Sequence, residues 1–143
     1  MKVQKLQFLK PKKEDSIGQW IVEQGVSAGF PSPADDFKEI RISLDRELVK
    51  NQESTFYARV SGESMKGAGI NDKDLIIIDR SLSPENNKIA VCLIDGEFTI
   101  KRIVREGNKL YLKPENKNYK KIEIDEYNEL TVWGIVTYVI KST

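Results

Sequence analysis

From residue 37 onward the apolar and polar positions follow the two-residue rhythm of strands more than the 3.6-residue rhythm of helices. Residues 55–60 form a β-rich run halted by Ser61-Gly62. Residues 74–79 hold Leu75-Ile76-Ile77-Ile78, apolar at successive positions, which predicts a central strand covered on both faces. Residues 89–94 and 97–105 flank Asp95-Gly96, a strong two-residue hairpin signal. Gly107-Asn108 makes another turn into residues 110–113, residues 121–124 alternate, and residues 130–141 make a long final strand. That last strand reads as a sheet edge covered by a second copy, with an interior strand as the alternative. One short helix is expected over residues 43–49, with Ser43 as its cap and Glu47 in its first turns. Many short strands with turns between them predict a mainly β domain, sandwich or barrel-like.

Before residue 37 the chain has another character. Residues 1–28 hold five basic side chains (Lys2, Lys5, Lys10, Lys12, Lys13) and three acidic ones (Glu14, Asp15, Glu23). Gly25, Gly29, Pro31 and Pro33 follow closely, and each X-Pro step pushes the preceding residue to extended geometry. Residues 25–36 therefore read as an extended connector. The expected organisation is an arm over residues 1–36 and a folded domain over residues 37–143.

Composition narrows the chemistry. The 143 residues suffice for a core without disulfides or metal. With 23 basic and 22 acidic side chains, no whole-molecule field is available for gripping nucleic acid. Histidine is absent, which excludes Ser-His-Asp and Cys-His catalysis and imidazole metal ligands. The single cysteine, Cys92, excludes an internal disulfide and Cys-rich metal centres, and its place in an apolar run marks it as a core residue. Asp72, Asp74 and Asp79 sit at a turn and at strand ends, where turn chemistry accounts for them better than a metal does. The run 117–121 reads as a solvated turn and strand start. No apolar run spans a bilayer, and the amino terminus lacks the features of a signal peptide.

One segment stands apart. Ser61-Gly-Glu-Ser-Met-Lys-Gly-Ala-Gly-Ile70 follows a strand and places Gly62, Gly67 and Gly69 around Ser64. A nucleophilic serine needs a turn that exposes its hydroxyl and aims backbone N–H groups at a developing oxyanion. An ordinary surface loop has the same composition. Without histidine, a lysine can activate a serine only when burial keeps its amine neutral. Lys101 lies in mid-strand, on one face with Thr99 and Ile103 and opposite Phe98, Ile100 and Val104. Thr99 is placed to orient the amine. Arg102 stays protonated and cannot serve. The pattern fits equally a lysine on a solvated strand face.

Ser61-Gly-Glu-Ser64-Met65, the strand 74–79 and Asp95-Gly-Glu-Phe-Thr-Ile-Lys101 together resemble the peptidase domain of the LexA/UmuD family of self-cleaving Ser-Lys peptidases. The 37-residue interval from Ser64 to Lys101 fits the pattern, and the likeness runs from Ala28-Gly29-Phe-Pro-Ser-Pro33 to Thr131-Val-Trp-Gly-Ile-Val-Thr-Tyr-Val139. Only 28 residues precede the expected cleavage bond, too few and too rich in Pro and Gly for a three-helix DNA-binding domain, so the UmuD-type branch fits better than LexA. Ala28 stands where the best-known member of that branch has Cys, and a small residue is kept.

The resemblance implies a LexA-type peptidase fold in which Ser64 is the nucleophile and Lys101 the general base. It implies backbone N–H groups of Glu63 and Ser64 as the oxyanion hole and Ala28–Gly29 as the scissile bond. It also implies a cytoplasmic homodimer, no cofactor, no sequence-specific DNA binding and no membrane. Cleavage would be stimulated by RecA filaments on single-stranded DNA, and the shortened form would join a UmuC-type translesion polymerase in the DNA-damage response. The competing expectations are a signal-peptidase-like enzyme, a binding module with a vestigial dyad, and a fragment of a LexA-type repressor.

Overall fold

The structure is a computed structural model that describes residues 5–11, 19–22, 39–118, 120–124 and 130–143. Ala28 and Gly29, and the whole connector 25–36, lie outside the described residues. The chain divides into two compact units, Met1–Pro11 with Asn51–Thr143, and Lys12–Lys50.

The larger unit is an eight-stranded antiparallel sheet. Its strands are β1 (Lys5–Leu9), β4 (Thr55–Ser61), β5 (Leu75–Asp79), β6 (Ile89–Ile94), β7 (Glu97–Glu106), β8 (Lys109–Lys113), β9 (Ile122–Ile124) and β10 (Leu130–Ile140). They lie in the order β1-β4-β5-β10-β6-β7-β8-β9. The smaller unit holds the hairpin of β2 (Gln19–Val22) and β3 (Glu39–Ile42), followed by the helix α1 (Leu44–Leu48). Ser43 caps that helix, its hydroxyl accepting from the Arg46 N–H over 3.4 Å. The fold is mainly β. Among the described residues, no helix is long and apolar enough to cross a membrane.

Alternation explains the core. Ile76 and Ile78 face a cluster with Ala58, Val60, Met65, Ile70, Val91 and Ile100, all fully buried. Ile77, between them, is buried on the other face, which is why the run lacks polar alternation. A second cluster joins Ala90, Cys92, Ile103, Leu112 and Ile135. Truncating an isoleucine at these positions costs about 2–5 kcal/mol. The sheet coils so that β1, at one end of the strand order, approaches β7, and Phe8 meets the Phe98 ring edge-on with centroids 4.9 Å apart.

Two expectations change here. The final strand is not an edge. β10 lies between β5 and β6, and Gly134 lets it pass so closely that a Cβ there would come within 2.5 Å of Ile78 Cγ2. An apolar strand covered by its own sheet and one covered by a second copy look alike in sequence, and the edge argument for a dimer falls. The arm also carries regular structure. β1 pairs with β4 in the register Lys5↔Ser61 to Leu9↔Tyr57, and β2 pairs with β3. The pattern of β1 is too short to register, since within it Leu6 and Phe8 turn inward while Gln7 and Leu9 face solvent.

Candidate active site

The loop after β4 is fixed at both ends before it reaches Ser64. Gly62 adopts φ 99°, a conformation costly for other residues, and its N–H donates to Asp72 Oδ1 over 2.9 Å. Beyond Ser64, the Met65 side chain sinks fully into the core, and the Met65 carbonyl accepts from the N–H groups of Ala68 and Ile70, each at 3.1 Å. A 3-10 turn at Lys66–Ala68 links these anchors. Ser64 therefore sits on a backbone held by a carboxylate on one side and two buried apolar residues on the other.

Lys101 comes from β7, opposite Ala90 of β6. Its Nζ is 3.3 Å from Ser64 Oγ and 3.1 Å from the Ile100 carbonyl oxygen, both within hydrogen-bond reach. Ser64 is 1% exposed and Lys101 7%, so neither sits on a solvated face. Burial pushes the Lys101 amine down to about 8, because the ammonium is poorly hydrated there. A Cys92 thiolate would oppose that shift, but burial raises the Cys92 thiol to about 11. The sulfur is thus uncharged where Lys101 titrates. The pair is chemically suited to passing a proton from hydroxyl to amine.

A second loop braces the first. After β8, the Asn116 amide donates from Nδ2 to the Glu63 carbonyl over 2.6 Å, while its Oδ1 accepts from the Asn118 N–H over 3.0 Å. The Glu63 carbonyl also accepts from the Lys66 N–H over 3.1 Å. That carbonyl and the Ser64 N–H belong to one planar peptide unit and point oppositely, so holding one aims the other. The Gly67 N–H donates to the Glu115 carbonyl, and a Cβ at Gly67 would overlap that oxygen. The Glu115 carboxylate is in turn paired with Arg102. None of this brace was foreseen. A Pro-Glu-Asn segment reads as an ordinary turn, and a contact across 53 residues leaves no local mark.

The structure thus brings together Ser64, Lys101 and the backbone of Glu63. The acidic residues weighed against a metal are engaged in local bonds: Asp72 with Gly62, Asp74 with the Asn71 N–H and Lys141, and Asp79 with Ser54, Ser81 and Asn51. Several donors hold the Asp79 carboxyl below its usual range, against the opposing effect of burial.

The chain matches the peptidase S24-like family over residues 20–137. It is 39% identical over 116 residues to protein MucA of Salmonella typhimurium, covering 80% of this chain and 79% of MucA. It is 35% identical over 133 residues to protein ImpA of Salmonella typhimurium, covering 93% of this chain and 90% of ImpA. Against the LexA repressor of Clostridium kluyveri it is 43% identical over 117 residues, covering 82% of this chain but 57% of the repressor. The chain belongs to the peptidase S24-like family, alongside LexA and the UmuD-like proteins MucA and ImpA.

Proposed function

We propose that the chain is a self-cleaving serine peptidase of the UmuD-like type. The observation that carries the reading is the 3.3 Å separation of Lys101 Nζ and Ser64 Oγ, both on buried side chains. In this reading neutral Lys101 takes the Ser64 proton as Oγ attacks the Ala28 carbonyl. The negative charge that develops on the carbonyl oxygen is held by the N–H groups of Glu63 and Ser64. The Lys101 ammonium then gives its proton to the departing Gly29 amine, leaving Ala28 as an ester on Ser64. Water, deprotonated by Lys101, hydrolyses that ester.

The UmuD-like branch is supported by the match to ImpA, which runs over 133 residues and 93% of this chain, against 117 residues and 82% for LexA. Placed in that branch, it is a cytoplasmic homodimer whose cleavage is stimulated by RecA filaments on single-stranded DNA. Its shortened form then serves a UmuC-type translesion polymerase in mutagenesis after DNA damage.

The test is incubation of the purified chain between pH 7 and 10, followed by mass spectrometry. The expected product begins at Gly29. Ser64→Ala and Lys101→Arg should remain whole, the second because a guanidinium cannot become a neutral base. A product starting elsewhere, or cleavage of Lys101→Arg at the parent rate, overturns the assignment.

A further inference from the structure

Both strands of the arm are paired with strands that lie beyond the proposed cut. β1 forms an antiparallel pair with β4, and β2 forms one with β3. Along β4 the pairing is reinforced by side chains. Leu6 and Phe8 pack against the core cluster. Phe8 lies 4.7 Å from the Trp133 ring and 4.9 Å from the Phe98 ring, centroid to centroid. Phe56 also meets Trp133, with centroids 4.9 Å apart. Lys10 closes the end of the groove, donating to the carbonyls of Gln52 and Glu53 at 3.3 and 2.8 Å and covering the Phe56 ring at 4.1 Å. Phe98 is already 37% exposed with β1 in place, so removing β1 would bare a row of aromatics beside an unpaired strand edge.

We infer that the β4 edge and its floor of Phe56, Phe98 and Trp133 form a strand-binding groove whose ligand after self-cleavage is the severed arm itself. The inference rests on the proposed function only for the position of the cut. Hydrolysis of Ala28–Gly29 breaks one covalent bond and leaves both strand pairings in place. Cleavage and release are therefore separate events, and the groove opens only when another extended segment displaces residues 5–10. Such a segment carries what β1 carries: two inward apolar side chains two residues apart, the second aromatic, and a cation two residues further on.

Gel filtration of the cleaved protein at micromolar concentration, with mass spectrometry across the peak, tests this. The arm, residues 1–28, should co-elute with residues 29–143. A fluorescent peptide of residues 1–28 should exchange into the cleaved complex, and Phe8→Ala should speed loss of the arm at least tenfold. To free the result from the dyad, a site-specific protease sequence is inserted after Ala28 in a Ser64→Ala chain and cut with added protease. An arm that stays bound there upholds the groove even if the parent never cuts itself. Immediate separation in either format overturns the inference while leaving the peptidase reading untouched. Equal retention of the Phe8→Ala arm would move the docking from the β4 groove to the β2–β3 pairing and overturn the groove.

Discussion

Lys101 and Arg102 are neighbours on β7 and leave it by opposite faces, the first reaching the loop that carries Ser64 and the second the loop that braces it. Lys101 reaches the Ser64 hydroxyl directly, and Arg102 pairs with Glu115, whose carbonyl accepts from the Gly67 N–H. One strand thus fixes the proposed base and, through its next residue, the backbone that presents the proposed nucleophile.

The titration of Lys101 sets the first expectation. With its amine depressed to about 8, roughly a tenth is neutral at pH 7 and most is neutral by pH 9. The intramolecular cleavage rate should rise about tenfold from pH 7 to a plateau above pH 9. A rate that is flat over this range removes lysine from the role of base.

The same burial has a cost in stability. The folded state disfavours the Lys101 ammonium, so the penalty is fully present below about pH 8 and fades as pH rises toward the ordinary value of 10.5. Lys101→Met, similar in length and uncharged, should raise stability at pH 7 by about 3 kcal/mol. Urea unfolding of both proteins should show the gap closing by pH 10.5. A gap that widens with pH contradicts the sign.

Asn116→Asp keeps the acceptor that takes the Asn118 N–H but sets a carboxylate oxygen against the Glu63 carbonyl. Cleavage should slow on the order of tenfold, because the Ser64 N–H is less firmly aimed. The new carboxylate also favours the Lys101 ammonium and moves the midpoint of the pH–rate profile upward, so the comparison is made on the plateau, where Lys101 is neutral in both proteins. A plateau rate equal to the parent's would show that the Asn116 amide does not aim the Ser64 N–H.

Gly67→Ala would push a methyl group into the Glu115 carbonyl. The expected loss in denaturant unfolding is about 1–3 kcal/mol, with cleavage impaired further than the unfolded fraction explains. Unchanged stability and rate would show that the Pro114–Asn116 turn does not grip the Ser64 loop.

The sequence disclosed what depends on neighbours along the chain. Asp95-Gly96 marked its hairpin, the isoleucine run 76–78 marked a strand buried on both sides, and Ser43 marked its helix. Ser64 and Lys101 stand out through the resemblance of their motifs and of the 37-residue interval between them, since composition and alternation alone fit a surface loop and a solvated strand lysine as well. What stayed hidden depends on distant partners. β1 has two inward side chains and becomes a strand only because β4 offers an edge. The place of β10 was ambiguous for a related reason, since apolar cover leaves the same pattern whoever supplies it.

In the proposed reading, the position of β10 governs when Ser64 and Lys101 can work together. Ser64 follows β4, Lys101 lies on β7, and β10 is the strand that joins β5 to β6 between them. A nascent chain that has passed residue 101 already contains both reactive side chains, but the halves of the sheet that carry them have no common strand until residues 130–140 leave the ribosome. Ribosome-held chains stalled before residue 130 should therefore keep their arm, and those stalled far enough beyond residue 140 to free β10 should begin to lose it. In the proposed reading the order of synthesis acts as a safety catch that keeps Ser64 and Lys101 on separate halves of the sheet until residues 130–140 are made.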